Sequence, residues 1–233
     1  MNVIQGNGFV AEIIRSSKRK SSAIKIQKGK VFVIVPESLS YAVIESLVLK
    51  KNRWINEKLN IQNQVLAIKP KTFTCGESFS YRGNPHLLKI ETGLYPAIKL
   101  SQDQLVIFVR DVSVDNSKAI KQLLIKWFKQ QAEVQLKEKT DHYSKIIGVT
   151  PSSITIKTFK ARWGSCTITK AIQYNWKIIM APESIINYLV VHELCHILHH
   201  NHSPTYWQEV KKYCPDYRVC GAWLKTNGVT LDI

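Results

Sequence analysis

The residues best suited to chemistry lie together near the C-terminal end of the chain. Five of the seven histidines fall between His192 and His202, and His192, Glu193 and His196 form the pattern HExxH. Residues four apart are neighbours on one face of a helix, so the His192 and His196 imidazoles are placed to share one zinc ion. Glu193 lies one position round the helix, where its carboxylate can serve as the general base for a zinc-activated water.

A third metal ligand is expected, because a catalytic zinc ion usually has three protein ligands and one position open for water. His199 would lie about 10 Å from His192 along a straight helix, too far for bonds of about 2.1 Å to one ion. His200 faces another side. His202 can reach the ion if the helix ends near His199 or His200, and the sequence NHSP at 201–204 favours such an end. We assign His202 as the third ligand and interpret His199 and His200 as solvated.

The alternative interpretation is a His-rich surface helix without a metal, since a bare HExxH also arises by chance. The third histidine and the apolar residues around the motif favour the metal site. These apolar residues recur at helical spacing and predict an amphipathic helix with the histidines on one side; they are Ile185, Ile186, Leu189, Val190, Leu194 and Ile197.

The net charge of the chain indicates which partners its surface would attract. Lys and Arg number 33 against 17 Asp and Glu, which gives a net charge of +16 and a pI near 9.7. Such a surface attracts polyanions, so a nucleic acid or nucleotide partner is one interpretation. The lysines are dispersed, and a basic surface without a specific partner is equally consistent with the sequence.

Cysteine spacing and hydropathy indicate the compartment. The five cysteines are odd in number and irregularly spaced, which argues against a disulfide framework and for a reducing environment. The chain holds no apolar run of about 18 residues, and its start lacks the order of a signal peptide. We therefore expect a cytoplasmic protein without a membrane span.

The hydropathy pattern predicts an α+β protein. We expect a hairpin over 22–35 with Gly29 at its turn, a helix from Ser38 or Ser40 to about Leu59, four or five antiparallel strands over 65–112, and a helix over 117–147 closed by Gly148. A second strand pair follows, and its last strand alternates through Ile178 and leads into the motif helix. The change from strands to helix predicts a boundary near residue 115, between a β-rich region with one helix (1–115) and a second domain (116–233).

Four segments of the sequence carry a resemblance to a known family: RWGSC at 162–166, YNW at 174–176, the block from Ala181 to His196 that contains HELCH, and NHSPTYW at 201–207. Together they resemble the YgjP-like metallopeptidases, which are relatives of the WLM and SprT-type zinc proteins. The match is specific over roughly 150–225, and the N-terminal hairpin and helix are similar more loosely.

The resemblance implies a zincin-like metallopeptidase domain at 116–233, one zinc ion held by His192, His196 and His202, and Glu193 as general base. It also implies that the turn at 163–166 and Asn175 lie next to the active helix. The resemblance and the motifs together indicate a peptide or protein substrate. Residues considered for binding it, or for stabilising the oxyanion, are Arg162, Trp163, Asn175 and Tyr206.

Two rival functions remain at this point. One is a nucleotide pyrophosphatase acting on UTP, an activity that the resemblance also brings in and that a basic surface would suit. Against it, a site of three neutral histidines without a carboxylate pair for magnesium is unusual for phosphoanhydride cleavage. The other is a nucleic-acid-associated module with a structural zinc ion, although structural sites are normally closed by four protein ligands.

Overall fold

The computed structural model describes residues 2–27, 29–67 and 69–233, without the side chains of residues 64–67. These residues form three sheets and six α-helices, which confirms the α+β class. The chain divides into two compact units, Met1–Lys69 and Pro70–Ile233. Within the described ranges, no helix is both long and apolar enough for a membrane crossing.

The first unit is a four-stranded sheet with two helices. Its strands are β1 (Val3–Gln5), β2 (Val10–Ser16), β3 (Ala23–Gln27) and β4 (Lys30–Pro36), in the order β1-β2-β4-β3. The antiparallel pair β3–β4 confirms the expected hairpin, with Gly29 at φ +74° and Lys28 outside the described residues. The parallel partner of β4, β2, is a strand that the sequence analysis missed.

Two helices replace the single one expected to end near Leu59. They are α1 (Tyr41–Lys50) and α2 (Asn52–Ala67), and they are separated at Lys51, whose φ of −100° and ψ of 6° depart from helical values. Ile44, Val48 and Ile55 from these helices are fully buried against Val33 and its neighbours in the core of this unit.

The second unit begins with a four-stranded sheet. Its strands are β5 (Ser78–Tyr81), β6 (Asn84–Thr92), β7 (Ala97–Ser101) and β8 (Gln104–Val109), in the order β5-β6-β8-β7. Four or five strands were expected and four are present, but β6 and β8 are parallel, so the all-antiparallel expectation is wrong. Alternating hydropathy indicates that a segment is a strand, but it does not indicate which strand is its partner. Residues 65–67 belong to α2, and Ile68 lies outside the described residues.

The long helix α3 (Ser117–Ile147) has the expected bounds, and Gly148 follows it in the left-handed conformation at φ +77°. Its buried face repeats every four residues through Ile120, Leu124, Phe128, Ala132 and Leu136. These side chains share one core with β5, β6 and β8. The division expected near residue 115 therefore falls inside the second unit.

A three-stranded sheet leads to the motif helix. It contains β9 (Ser153–Lys157), β10 (Gly164–Cys166) and β11 (Ala171–Asn175), in the order β10-β11-β9, with β11 parallel to β9. The expected strand through Ile178 is wrong, because a 3-10 turn (Trp176–Met180) follows Asn175, whose side-chain oxygen accepts a hydrogen bond from the Lys177 backbone N–H at 3.3 Å.

Three helices complete the second unit: α4 (Glu183–Cys195), α5 (Pro204–Tyr213) and α6 (Tyr217–Asn227). Helix α4 contacts α3, α5, α6 and β10. The motif helix therefore lies at the centre of this unit.

Candidate metal centre

The helix that carries the HExxH motif is buried on nearly all sides. The consecutive residues Tyr188, Leu189, Val190 and Val191 are all buried, and together they span the whole circumference of the helix. The expected amphipathic helix is therefore a core helix whose polar motif faces a local cavity. Such close packing on every side leaves the backbone that carries His192 and Glu193 little freedom to shift.

Helix α4 ends about one turn earlier than expected. Its last residue is Cys195, His196 is the C-cap, and the His199 backbone N–H donates back to the Cys195 carbonyl at 3.0 Å. The Asn201 side-chain oxygen then accepts a hydrogen bond from the Ser203 backbone N–H at 3.3 Å as the chain reverses. This early end lets the following loop return to the helix.

The reversal brings three histidines together. One ligand-capable atom from each of His192, His196 and His202 lies within 4.8 Å of the others. Among the described residues, this is the group of side chains that could hold a metal ion. The Nε2 atoms of His192 and His202 are 3.3 Å apart. His199 and His200 stand outside the group, although His200 lines the neighbouring cavity.

The geometry of these imidazoles fits a tetrahedral metal ion. Two nitrogens bound to one tetrahedral zinc ion at about 2.1 Å lie about 3.4 Å from each other, close to the separation of the His192 and His202 Nε2 atoms. The donor set, three imidazoles and no thiolate, suits zinc with an open coordination position. The His192 Nδ1 atom is buried and has no hydrogen-bond partner among the described residues.

Burial favours the neutral form of the His192 and His196 rings. Desolvation, with smaller contributions from His196 and His202, lowers the pKa of His192 to about 3. Burial also lowers the pKa of His196, against the opposing effect of the hydrogen bond between its Nδ1 and the His199 carbonyl. A neutral imidazole keeps a free lone pair, which a metal ligand requires.

Glu193 is buried beside these histidines and has little hydrogen bonding. Glu193 is 3% exposed, and its Oε2 atom has no hydrogen-bond partner in the described structure. Burial raises its pKa to about 8, while the charge of Arg162 acts in the opposite direction. A carboxyl group with a pKa near neutrality can both accept and release a proton.

Strand β10 approaches Glu193 at a glycine. A Cβ atom added at Gly164 would lie 2.3 Å from Glu193 Oε1, closer than any real non-bonded contact. The missing side chain at Gly164 is therefore what allows the strand and the carboxylate to lie together. The sequence analysis placed this turn near the helix but missed the role of the glycine, because the contact joins residues distant in the chain.

An open cavity of about 270 Å³ lies over the motif. It is lined by Gly164, Ser165, Cys166, His192, Glu193, His196, His200 and His202. Within the described sheet, β10 is an edge strand, since β11 is its partner on one side. One wall of the cavity is thus a strand edge.

Tyr206 lies beneath the three histidines and not on the cavity wall. It is fully buried, its hydroxyl donates to the His192 carbonyl at 3.0 Å, and its ring stacks on His196 with centroids 4.5 Å apart. Its ring also meets His202 edge to face at 4.9 Å. Tyr206 therefore contacts all three histidines and does not line the cavity, and its contact with substrate stays a prediction.

Neither Asn175 nor Trp163 is among the residues that line the cavity. Asn175 is buried and donates to the carbonyls of Phe159 and Arg162 at 3.2 and 3.3 Å. The Trp163 ring lies where a Cβ at Gly228 would come within 2.9 Å of it. Of the residues considered for substrate binding, Arg162 is the exposed one.

The start of α4 is held by an ionic cluster that the sequence analysis did not identify. Glu183 accepts a hydrogen bond from Arg82 Nε at 3.0 Å and another from Lys139 Nζ, which also donates to Asn187 at 2.8 Å. The backbone N–H groups of Arg82 and Gly83 donate to the Ile179 and Met180 carbonyls. No local sequence signal marks these contacts, because the residues that they join are 44 to 101 positions apart.

Comparisons with solved structures find two archaeal proteins. The metallopeptidase zymogen abylysin of Pyrococcus abyssi is 19% identical with a TM-score of 0.33, over 37% of this chain and 93% of that chain. The metallopeptidase zymogen jannalysin of Methanocaldococcus jannaschii is 21% identical with a TM-score of 0.32, over 36% and 90%. No curated protein matches.

The family comparison covers most of the chain. The model of the YgjP-like metallopeptidase domain matches residues 20–227, which include the motif helix, the edge strand β10 and the loop of His202. It thereby confirms the resemblance carried by the four sequence segments. The chain belongs to the YgjP-like metallopeptidase family and is a metallohydrolase.

Proposed function

We propose that this protein hydrolyses peptide bonds with one zinc ion held by His192, His196 and His202 and with Glu193 as general base. The observation that carries the proposal is the convergence of three ligand-capable nitrogens within 4.8 Å beside a buried carboxylate. The zincin-like assignment of this region is part of the same proposal.

When bound, zinc supplies Lewis acidity, which lowers the pKa of water and polarises a carbonyl group. Glu193 accepts the proton of the attacking water at Oε2, the oxygen without a hydrogen-bond partner in the described residues. The same carboxyl group then donates that proton to the departing amine. Gly164 has no side chain and so leaves the space beside β10 that Glu193 Oε1 occupies.

The edge of β10 supports an extended peptide as substrate. A strand edge binds an extended chain through backbone hydrogen bonds, and β10 offers its edge within the cavity that contains Glu193. Arg162 is our candidate for stabilising negative charge during the reaction, because it is exposed and its charge already acts on Glu193.

The nucleotide pyrophosphatase hypothesis gains no support from the cavity. Its lining residues include one carboxylate, Glu193, and neither lysine nor arginine. A triphosphate needs several cationic groups or a carboxylate-bound magnesium ion around its phosphates. We therefore favour the peptidase, and neither the family match nor the cavity supports a nucleic acid partner.

The central test compares zinc-loaded wild type with Glu193→Gln on a denatured protein and on nucleoside triphosphates. We expect wild type to cleave the protein and Glu193→Gln to lose at least about 100-fold in kcat, since general acid–base catalysis contributes about 10²–10⁴. Both should hold one zinc ion per chain. Full activity in Glu193→Gln, or hydrolysis of triphosphates alone, contradicts the proposal.

A second pair of variants tests the ligand assignment. His202→Ala should lose zinc affinity, whereas His199→Ala should retain it, because His199 lies outside the converging group. Competition with a chromophoric chelator measures both dissociation constants. The reverse order of affinities would remove His202 from the ligand set.

A further inference from the structure

His202 occupies a defined position at the start of α5. The Ser203 side chain accepts a hydrogen bond from the Tyr206 backbone N–H at 3.3 Å, so Ser203 is the N-cap and Pro204 the first helical residue. His202 is then the residue before the cap, and Trp207 is the fourth residue of the helix. In many helices, side chains at these two positions pack together and fix the angle at which the chain enters the helix.

The His202 and Trp207 rings make this contact. They are nearly parallel, with an interplanar angle of 20° and centroids 5.4 Å apart. Trp207 is in turn nearly parallel to Tyr217 on α6, at 18° and 5.1 Å. The Tyr217 hydroxyl accepts a hydrogen bond from Arg218 Nε at 3.1 Å. A series of rings therefore connects the third candidate ligand to a second helix.

The His202 ring also meets the rings of His192, His196 and Tyr206, but in the described residues no carboxylate or carbonyl accepts a hydrogen bond from it. A metal-bound histidine is usually oriented by a hydrogen bond from its second ring nitrogen to a carboxylate or carbonyl. His196 has such a bond, to the His199 carbonyl at 3.0 Å. The ring of His202, in the described part of the chain, hydrogen-bonds to His192 Nε2, which is itself a candidate ligand.

We propose that Trp207 is a positioning residue for the metal site, and that its stacking on His202 presets the third ligand before the metal binds. This inference rests on the proposed zinc site. The stack substitutes for the missing hydrogen bond: it restricts rotation of an exposed imidazole whose backbone lies in a loop. Without it, metal binding would have to order both the ring and the first turn of α5, and the affinity would fall accordingly.

The test measures zinc dissociation constants for full-length wild type, Trp207→Ala and Trp207→Phe. Loss of a group that orients a metal ligand typically weakens affinity about 10–100-fold, so we expect at least about a tenfold loss in Trp207→Ala. Trp207→Phe, which keeps a flat ring, should lose much less. The visible spectrum of the cobalt(II) form should lose intensity in Trp207→Ala as tetrahedral coordination is loosened.

The control is Trp127→Ala, which removes another half-buried tryptophan of the same unit, one that packs on Tyr81 at 5.0 Å. It should lower the free energy of unfolding and leave zinc affinity unchanged. Wild-type affinity in Trp207→Ala, or an equal loss in Trp127→Ala, overturns the inference. If His202→Ala binds zinc as tightly as wild type, the proposed zinc site itself fails. This result distinguishes failure of the zinc site from failure of the inference about Trp207.

Discussion

The two sides of the candidate metal centre are built in different ways. His192, Glu193 and His196 belong to or border α4, which is enclosed by three helices and a strand. His202 lies in an exposed loop, and its ring is placed by contacts at the start of the next helix. One side is therefore positioned by the core of the unit, and the other by interactions among a few neighbouring residues. The difference implies that damage to the first side unfolds the protein, whereas damage to the second releases the metal.

Leucines on either side of the α4 terminus give the largest expected contrast. Leu194 is fully buried, whereas Leu198 is 46% exposed in the loop. Leu194→Ala should cost about 2–5 kcal/mol of unfolding free energy, because it leaves a cavity in the core. Leu198→Ala, the matched control, should cost less than about 0.5 kcal/mol. Urea unfolding of the metal-free proteins measures the loss of unfolding free energy in each variant. Equal losses would contradict the distinction between the core side and the loop side of the metal centre.

Gly164→Ala should damage catalysis on the core side without releasing the metal. The new methyl group would overlap Glu193 Oε1, and α4 cannot move away because it is packed on its other sides. A displacement of about 1 Å in a catalytic group can lower kcat about 100-fold. Zinc affinity should stay within a few-fold of wild type.

Ser165→Ala, one residue along the same strand, is the matched control for Gly164→Ala. It should keep most of the activity, because successive residues of a strand point to opposite faces and Gly164 is the residue whose face meets Glu193. Steady-state kinetics with chelator titration separates the two effects. Normal kcat in Gly164→Ala would show that Glu193 tolerates displacement.

The Glu183 cluster gives the smallest expected effect, a dependence of stability on pH. Burial alone would raise the pKa of Glu183, but hydrogen bonds from Arg82 and Lys139 outweigh it and hold that pKa below its ordinary value. The carboxylate therefore stabilises the fold above its unfolded-state pKa, and this contribution is lost as pH falls through the lower folded-state pKa. Because the Arg82 and Glu183 side chains are both 40% exposed, we expect the carboxylate to contribute less than about 1 kcal/mol to the free energy of unfolding.

Glu183→Gln measures that contribution. The difference in unfolding free energy between wild type and this variant should be largest at neutral pH and should shrink in acid. Glu138→Gln changes the net charge equally on the same unit and serves as the control. A difference that does not change with pH would mean that the ion pairs at the start of α4 do not stabilise it.

The grouping of the three histidines could be expected from the sequence because its determinants are local. The i, i+4 spacing of His192 and His196 depends on helix geometry, and the reach argument selects His202 without knowledge of the rest of the fold. Whether these residues bind zinc remains a prediction. The helix end was misplaced by about one turn, because residues 196–200, directly after the true end, carry no glycine or proline that would mark it.

Contacts between distant residues explain most of what the sequence analysis missed. The parallel pairs β2–β4 and β6–β8, the close approach of Gly164 to Glu193, and the Arg82–Glu183 pair all depend on tertiary structure. Trp207 is a different case. The segment HSPTYW has a cap residue, a proline at the first helical position and an aromatic residue at the fourth, so the stacking partner of His202 had a recognisable local signal.

The turn between β5 and β6 has a consequence for how the unit folds. Arg82 and Gly83 donate backbone hydrogen bonds to carbonyls just before α4, and a Cβ at Gly83 would come within 2.7 Å of Pro182. Closing a segment of about 100 residues costs chain entropy, so we expect the motif helix to acquire these contacts late in folding. A fragment beginning at residue 116 would leave the Ile179 and Met180 carbonyls without these donors. Residues 116–233 therefore lack part of what holds the motif helix, because the β5–β6 turn that contacts its start lies outside them.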